Sequence, residues 1–325
     1  MKLNVLAITV GGGALTLLVS WFGAQAIGHE VLEAGWAIPT TIGLHLVQLY
    51  LSAIAWRISV GLRRPRMMVY FRLRWIREAV NSLLPVAQMG GNLVGIRLLS
   101  QRGVAGARAG AGTTLDLTIE ALTQFVWTMI GIGVLATISS DQSWKPWLEG
   151  GLITMGIGIM GFVVAQRAGM LRLIEAFALQ LQRVFPSLSM EAVRGLHAEL
   201  MRLQANREAL AKAFCIHLIA WILGTFEVWL ALTAMGTQVN LPEALVIESL
   251  GMAARSAGFV VPGALGVQET GFILVCGLFH IHPDTAIALS MLKRVREMAV
   301  GVPGLVAWQL SEGRRMVRKS REARG

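Results

Sequence analysis

The sequence has little charge and almost no cysteine. Charged residues make up 15% of its 325 residues, whereas hydrophobic residues make up 54% and the mean hydropathy is +0.60. So small a charged fraction excludes an ordinary water-soluble domain and predicts an all-α, polytopic membrane protein. The two cysteines, Cys215 and Cys276, lie in apolar stretches. They fit an apolar core better than a disulfide, a metal site or a catalytic thiol.

Signatures of catalysis are missing as well. The sequence contains no P-loop, dinucleotide-binding glycine pattern, nucleophile elbow or paired metal-ligand spacing. His280, His282 and Asp284 form a short stretch that could bind a metal, but an extramembrane turn explains it better. We therefore expect no catalytic residue, no metal and no cofactor. Nucleic acid is not expected as a partner either, because the net charge of +10 comes from basic residues that flank hydrophobic segments.

Hydrophobic segments predict the membrane spans. Two apolar stretches, Glu78–Gly103 and Glu243–Phe279, are interrupted by proline and glycine. Each predicts either a re-entrant hairpin, whose free backbone groups must face protein or a wet cavity, or a kinked span. A further six segments are uninterrupted and long enough to cross a bilayer: Leu3–Ile27, Trp36–Leu62, Gly106–Ile138, Leu148–Gln166, Ala213–Gly236 and Asp284–Leu310. We expect the first of them to be a retained span rather than a signal peptide.

Basic residues predict the orientation. With six spans and two hairpins, most of the 29 lysines and arginines fall on one side, chiefly in residues 57–77, 166–212 and 314–324. This predicts a protein of the bacterial inner membrane with both termini in the cytoplasm. The arginines of 63–77 suggest an interfacial helix on anionic lipid headgroups. Residues 167–212 predict a cytoplasmic insert with two helices, Leu171–Phe185 and Met190–Lys212.

The two interrupted segments repeat each other at a fixed spacing. Pro85, Asn92 and Glu120 recur as Pro262, Glu269 and Glu297. Such a repeat predicts an inverted-topology architecture, with repeats at 1–138 and 139–312 and a basic cytoplasmic tail at 313–325. Each repeat would hold three spans and one hairpin, at 78–103 and 243–279. The expected hairpin-breaking residues are Pro85, Gly90, Gly91, Pro262, Gly263 and Gly266.

Ionisable residues within the spans are the candidates for function, because such groups are costly in lipid. Asp116 and Glu120 share one helix face, and Lys293, Arg296 and Glu297 share a face of the equivalent helix. An acidic face beside a basic face suggests structural pairs, with Asp116 opposite Lys293, or a site for a zwitterionic or polar headgroup. The candidate lipid-binding residues are Asn92, Arg97, Asp116, Glu120, Arg255, Gln268, Glu269, Lys293, Arg294, Arg296 and Glu297.

These residues carry a family resemblance. Residues 262–269, PGALGVQE, resemble the PGGLGVRE-like signature of the lysylphosphatidylglycerol synthase transmembrane-region family. Further matches are Leu292-Lys293-Arg294 in the next helix, Pro85 with Gly90-Gly91-Asn92 and Arg97, and the pair Trp56-Arg57. The resemblance implies a flippase-like, lipid-translocating unit. Among the stand-alone members of polar-lipid and hopanoid pathways, the chain looks most like the hopanoid-associated kind.

Departures from the family pattern refine this expectation. Asn92 stands where the family often has Glu, Gln268 where it often has Arg, and Leu117 opposite Arg294. We therefore expect a weakly charged pocket, suited to a hopanoid rather than an anionic phospholipid. No aminoacyltransferase domain follows the basic tail, so the resemblance does not imply synthase activity. We expect a lipid transporter; the alternative is a membrane enzyme, or its accessory subunit, acting on a polyisoprenoid-derived lipid. Membrane lipids are the expected partners, and a homo-oligomer is possible.

Overall fold

The computed structural model describes residues 35–84, 90–139, 145–167, 190–258, 264 and 266–322. These residues form ten helices and no strand, which confirms the all-α prediction. The helices are α1 Ala37–Val60, α2 Met67–Leu83, α3 Gly90–Ser100, α4 Gly106–Ile138, α5 Lys145–Arg167, α6 Met190–Gln204, α7 Arg207–Ala234, α8 Leu241–Ala257, α9 Val267–Gly277 and α10 Pro283–Glu322. The predicted span Leu3–Ile27, the predicted helix Leu171–Phe185 and residues Pro85, Pro262 and Gly263 lie outside the described residues.

Three helices, α1, α4 and α7, are long and apolar enough to cross a membrane. At about 1.5 Å per residue, even the 24 residues of α1 exceed the roughly 30 Å hydrocarbon core. Helix α10 has 40 residues, but Lys293, Arg294, Arg296 and Glu297 interrupt its apolar character. These long apolar helices are those of a multi-pass membrane protein.

Each interrupted segment forms two helices that pack against each other. Helix α2 packs on α3, and α8 packs on α9. The contact at the start of α3 is so close that a Cβ atom at Gly91 would overlap the carbonyl oxygen of Arg77. The amide of Gly91 also donates to Oδ1 of Asn81 at 2.8 Å, which fixes the start of α3 against α2.

Two helix boundaries differ from the sequence-based prediction. Helix α2 begins at Met67 and runs to Leu83, so the supposed interfacial arginine helix and the first hairpin arm are one continuous helix. The predicted helix Met190–Lys212 is interrupted, because the side chain of Asn206 accepts the Ala209 amide at 3.1 Å and starts α7 there.

The long helices pack in three principal pairs: α1 with α7, α2 with α10, and α4 with α8. Helix α6 lies against α4, where Arg108 of α4 donates to Glu199 of α6 at 2.5 Å. Arg108 also donates to the Val60 carbonyl at the end of α1 at 2.7 Å. The start of α8 is fixed by Asn240 and Glu243, which each accept the other's backbone amide at 2.9 and 3.0 Å. This arrangement directs the ionisable faces of α2, α4, α7, α8 and α10 toward one another.

Candidate functional site

Thirteen acidic and basic side chains on six helices form two charged clusters. Each member lies within 4 Å of an opposite charge, as expected for groups that are costly to bury. The first cluster comprises Arg74, Arg77, Glu78, Asp116 and Glu120. The second cluster comprises Glu227, Glu248, Arg255, Glu269, Lys293, Arg294, Arg296 and Glu297.

In the first cluster, two arginines of α2 face two carboxylates of α4. The guanidinium of Arg77 donates to Oδ2 of Asp116 at 2.6 Å, and that of Arg74 donates to Oε1 of Glu120 at 2.7 Å. The other oxygen of Asp116 lies 3.1 Å from Nε2 of His217 on α7. The arginines are spaced i, i+3 and the carboxylates i, i+4, so each pair shares one helix face.

Arg77 also connects this cluster to α3. Its Nε donates to Oδ1 of Asn92 at 2.5 Å, and its guanidinium lies 5.5 Å from the ring centroid of Trp56. Trp56 is itself fixed by a hydrogen bond from its indole nitrogen to Thr113 at 3.0 Å. Arg77 therefore contacts residues on α1, α3 and α4 at once, and it is almost completely buried.

The second cluster is built around Lys293 of α10. Its ammonium group lies 2.8 Å from Glu248 on α8 and 3.4 Å from Glu227 on α7. Arg296, one turn further along α10, also pairs with Glu227. Arg255 of α8 pairs with Glu297 of α10. Helices α7, α8 and α10 are thus joined by charges that are buried among them.

A chain of hydrogen bonds extends this cluster to α9. Arg255 donates to the side chain of Gln268, whose amide nitrogen donates to Ser290 at 2.8 Å. Ser290 donates to Glu269 at 3.2 Å, and Arg294 donates to the same carboxylate oxygen at 2.8 Å. The other oxygen of Glu269 accepts the amide of Gly266 at 2.7 Å. Glu269 therefore fixes the start of α9 to α10.

Between the clusters lies a cavity of about 130 Å³, which has room for several water molecules or the small polar end of a lipid. Seven charged side chains from both halves of the chain line it: Arg74, Glu78, Glu120, Glu248, Arg255, Arg296 and Glu297. The remaining lining residues include His45, Gln48, Ser52 and His217. The expectation of a weakly charged pocket is wrong, because the missing charges at Asn92 and Gln268 are supplied from other helices.

Two buried donors of this lining have no acceptor among the described residues. They are the Nε atoms of Arg74 and Arg296, one from each half of the chain. An unsatisfied buried donor costs about 1–3 kcal/mol.

The predicted pairing of Asp116 with Lys293 is wrong. Asp116 binds Arg77 and His217, whereas Lys293 binds Glu248 and Glu227. Residues that align between two similar segments need not be neighbours in space: the shortest contact of Asp116 is with Arg77 and that of Lys293 is with Glu248, each in its own half of the chain. Arg97 is also separate from the clusters, since it pairs with Glu312 at 3.0 Å. The remaining sequence candidates all lie in the clusters or bond to them.

Sequence reasoning missed Arg74, Arg77 and His217. The two arginines lie in a charge-rich stretch that was interpreted as interfacial, yet both are buried. The signal was present in α2, where Tyr70, Leu73, Arg74, Arg77 and Val80 follow one helical face. A second signal was the acidic face of α4, because carboxylates within an apolar helix need cationic partners.

Gly224 on α7 allows Glu248 to reach Lys293. A Cβ atom at position 224 would lie 2.5 Å from Oε1 of Glu248. Gly224→Ala should therefore lower the free energy of unfolding by about 1–3 kcal/mol, the cost of overpacking. Gly133→Ala on α4 is the matched control, because its Cβ would meet nothing within 4 Å. Thermal unfolding in detergent would measure both, and equal stability of the two variants would contradict this packing.

An apolar groove lies elsewhere, between α4 and α5. Its volume is about 620 Å³, and it is lined only by apolar side chains and glycines, among them Phe125, Met129 and Ile157. Ile153, Ile157, Met160 and Val164 are exposed along one face of α5. Such a face is suited to contact with lipid acyl chains.

Comparison with known proteins agrees with this picture. Residues 4–304 match the family described as the lysylphosphatidylglycerol synthase TM region. The chain is also 22% identical over 320 residues to a UPF0104 membrane protein of Methanothermobacter thermautotrophicus, with 90% of each chain covered. No solved structure matches it. The family resemblance is therefore confirmed, and its hopanoid-associated subtype stays a prediction.

Proposed function

The chain belongs to the family of the lysylphosphatidylglycerol synthase transmembrane region, and we propose that it is a lipid transporter of the flippase type. The observation that carries this proposal is the central cavity, which seven charged side chains line within an apolar helical bundle. Ionisable groups at membrane depth are costly, rare and typical of substrate pathways. A purely structural network would need no cavity among its charges.

The cavity suits a lipid headgroup rather than a whole lipid. Its volume of about 130 Å³ can hold a polar group, while the acyl chains stay outside among apolar helix faces. The guanidinium groups of Arg74 and Arg296, which line the cavity, are donors suited to headgroup oxygens. Glu78 and Glu120, which are partly exposed, offer carboxylates to a headgroup cation. A polar lipid with oxygens of negative or partial negative charge fits this lining.

Two inverted repeats would explain how such a cavity opens to either side of the membrane. Helices α2 and α8 both have 17 residues, and α3 and α9 both have 11. The packing pattern is preserved when the repeats are exchanged, because α2 packs on α10 as α8 packs on α4. These features support re-entrant hairpins at 78–103 and 243–279 that meet near the cavity, as in alternating-access transporters.

The lipid class follows from the charges of the cavity. The earlier preference for a hopanoid depended on a weakly charged pocket, and seven charged lining residues remove that reason. A phospholipid-like headgroup is better matched, since it can bind guanidinium groups through its oxygens. Transport of a hopanoid with a polar side chain stays a hypothesis, and the same assay can test it.

We further propose the bacterial inner membrane as the location, with both termini in the cytoplasm. If α2 and α3 form a hairpin, Gln101 lies in the cytoplasm and Gln238 outside. Single cysteines at these two exposed positions should then react with impermeant maleimide from opposite sides of the membrane. A kinked span at 78–103 would instead put residue 101 outside. Labelling of Gln101→Cys in intact cells would therefore contradict the inverted repeat.

Reconstitution tests the proposed function directly. The full chain is placed in liposomes with fluorescently labelled phosphatidylglycerol, phosphatidylethanolamine or a polar hopanoid, and leaflet exchange is followed by quenching from outside. Exchange of at least one lipid, absent in protein-free liposomes, is expected. Mass spectrometry of the same lipids shows whether the protein modifies them chemically, as the enzymatic alternative requires. Chemical modification of a lipid without its exchange between leaflets would contradict the transporter proposal and favour an enzyme.

A further inference from the structure

One histidine connects the two halves of the charged site. His217 on α7 is 1% exposed, and its Nε2 lies 3.1 Å from Oδ1 of Asp116 on α4. Within the described residues, the ion pairs among lysine, arginine and carboxylate side chains of the clusters stay inside one cluster. The contact between His217 and Asp116 crosses from the second half of the chain to the first. His217 also lines the central cavity.

The charge of the first cluster is not balanced. The cluster contains two arginines and three carboxylates, whereas the second has four cations and four carboxylates. With neutral histidines, the described side chains of the first cluster therefore carry one more negative than positive charge. Glu78, whose side chain is 35% exposed, is the most accessible of the three carboxylates, whereas Asp116 is fully buried beside His217. One proton on His217 would balance the excess negative charge.

Histidine is the side chain whose charge ordinarily changes between about pH 5 and 8. Oδ1 of Asp116 faces the ring of His217, and Arg77 and Arg74 approach Oδ2 of the same carboxylate at 2.6 and 3.4 Å. A displacement of either arginine would change the charge that the ring faces. The other charged and titratable groups around the cavity are His45 of α1, Glu78 of α2, Glu120 of α4, Glu248 and Arg255 of α8, and Arg296 and Glu297 of α10.

We propose that the pair of His217 and Asp116 binds and releases one proton as the cavity fills and empties, so that lipid transport is coupled to a proton. This inference rests on the proposed transport function. When Arg74 turns to a headgroup oxygen, Asp116 keeps Arg77 but loses the 3.4 Å contact with Arg74, and the imidazole ring takes a proton from water. When the lipid leaves, the arginine returns to the carboxylate, and the ring gives that proton back to water on the other side.

Proteoliposomes with an imposed pH difference test this coupling. The full chain is reconstituted with fluorescently labelled phosphatidylethanolamine in phosphatidylcholine vesicles, and the label in each leaflet is measured. With one coupled proton, each unit of pH difference should bias the distribution by up to about tenfold. The bias should disappear in His217→Gln and persist in His282→Gln, whose side chain is 74% exposed and distant from the cavity.

Lipid exchange by the wild type that does not respond to the pH difference would overturn the proposed coupling to a proton and leave the proposed transport function intact. If His217→Gln does not fold, His217→Arg supplies a permanent positive charge, and whatever lipid exchange this variant retains should show no pH bias. A bias in that variant would exclude His217 as the coupling group.

A measurement without transport separates the two proposals. In nanodiscs, nitrogen-labelled histidines of the full chain are titrated by NMR. One titrating resonance of the wild type should be missing from His217→Gln or His217→Arg. If the wild type exchanges no lipid, the transport proposal fails, and this titration still decides the proton site. The absence of such a resonance would refute proton binding at His217.

Discussion

Lys293→Met should lower the free energy of unfolding by about 3–5 kcal/mol, because it leaves a buried carboxylate without its cation. Lys293 is 1% exposed, and its ammonium group lies 2.8 Å from Glu248. Glu227 keeps Arg296 in this variant, so the cost falls mainly on Glu248. Denaturation of the purified chain in mixed micelles would measure the loss.

The double change Lys293→Met with Glu248→Gln should recover much of that stability, because neither buried charge then remains alone. The matched control is the exposed pair Lys212 and Glu208, whose side chains are 62% and 77% exposed. Lys212→Met should cost at most about 1 kcal/mol. Losses that simply add in the Lys293 and Glu248 double variant would mean that the two residues do not interact.

Arg74→Lys and Arg296→Lys should each reduce lipid exchange by about 10- to 100-fold while the protein stays folded. Lysine keeps the positive charge beside Glu120 or Glu227, but it has no Nε donor and no planar guanidinium group. If those donors bind headgroup oxygens, the loss of one such bond corresponds to about 1.5–3 kcal/mol. The rate of leaflet exchange in liposomes is the measurement.

Arg202→Lys is the control for these variants, because its side chain is 75% exposed on α6 and distant from the cavity. It should exchange lipid at the rate of the wild type. Thermal unfolding separates a loss of binding from a loss of fold. Wild-type exchange in both cavity variants would show that the guanidinium donors do not contact the transported lipid.

Much of the helical framework could be predicted from the sequence. The predicted span Gly106–Ile138 agrees with the bounds of α4, since a long apolar segment in lipid has few alternatives to a helix. The charged residues of α4 and α10 were identified as candidates for the same reason: they interrupt apolar surroundings. The bounds of a span and the charged residues that interrupt it depend mainly on hydrophobic patterning and helical spacing, which are local properties of the sequence.

The pairing of the charges could not be predicted in the same way. Arg74 and Arg77 lie in a segment of low hydropathy, and only the packing of α2 against α10, α3 and α1 makes them internal. Helical spacing shows which residues share a face, but not which helix lies opposite that face. Gapless alignment of the repeats therefore suggested Asp116 and Lys293 as partners, although each has nearer partners among helices of its own half.

The self-contained pairing within each cluster bears on how fast the molecule can change shape. Arg77 stays with Asp116, and Lys293 with Glu248, inside a single half. Rocking one half against the other would therefore separate no buried lysine– or arginine–carboxylate pair of the clusters. The charged contacts that would have to give way lie elsewhere: Arg97 with Glu312, Arg108 with Glu199, and Asp116 with His217. The electrostatic part of the activation barrier would then come from these few contacts between the halves rather than from the clusters.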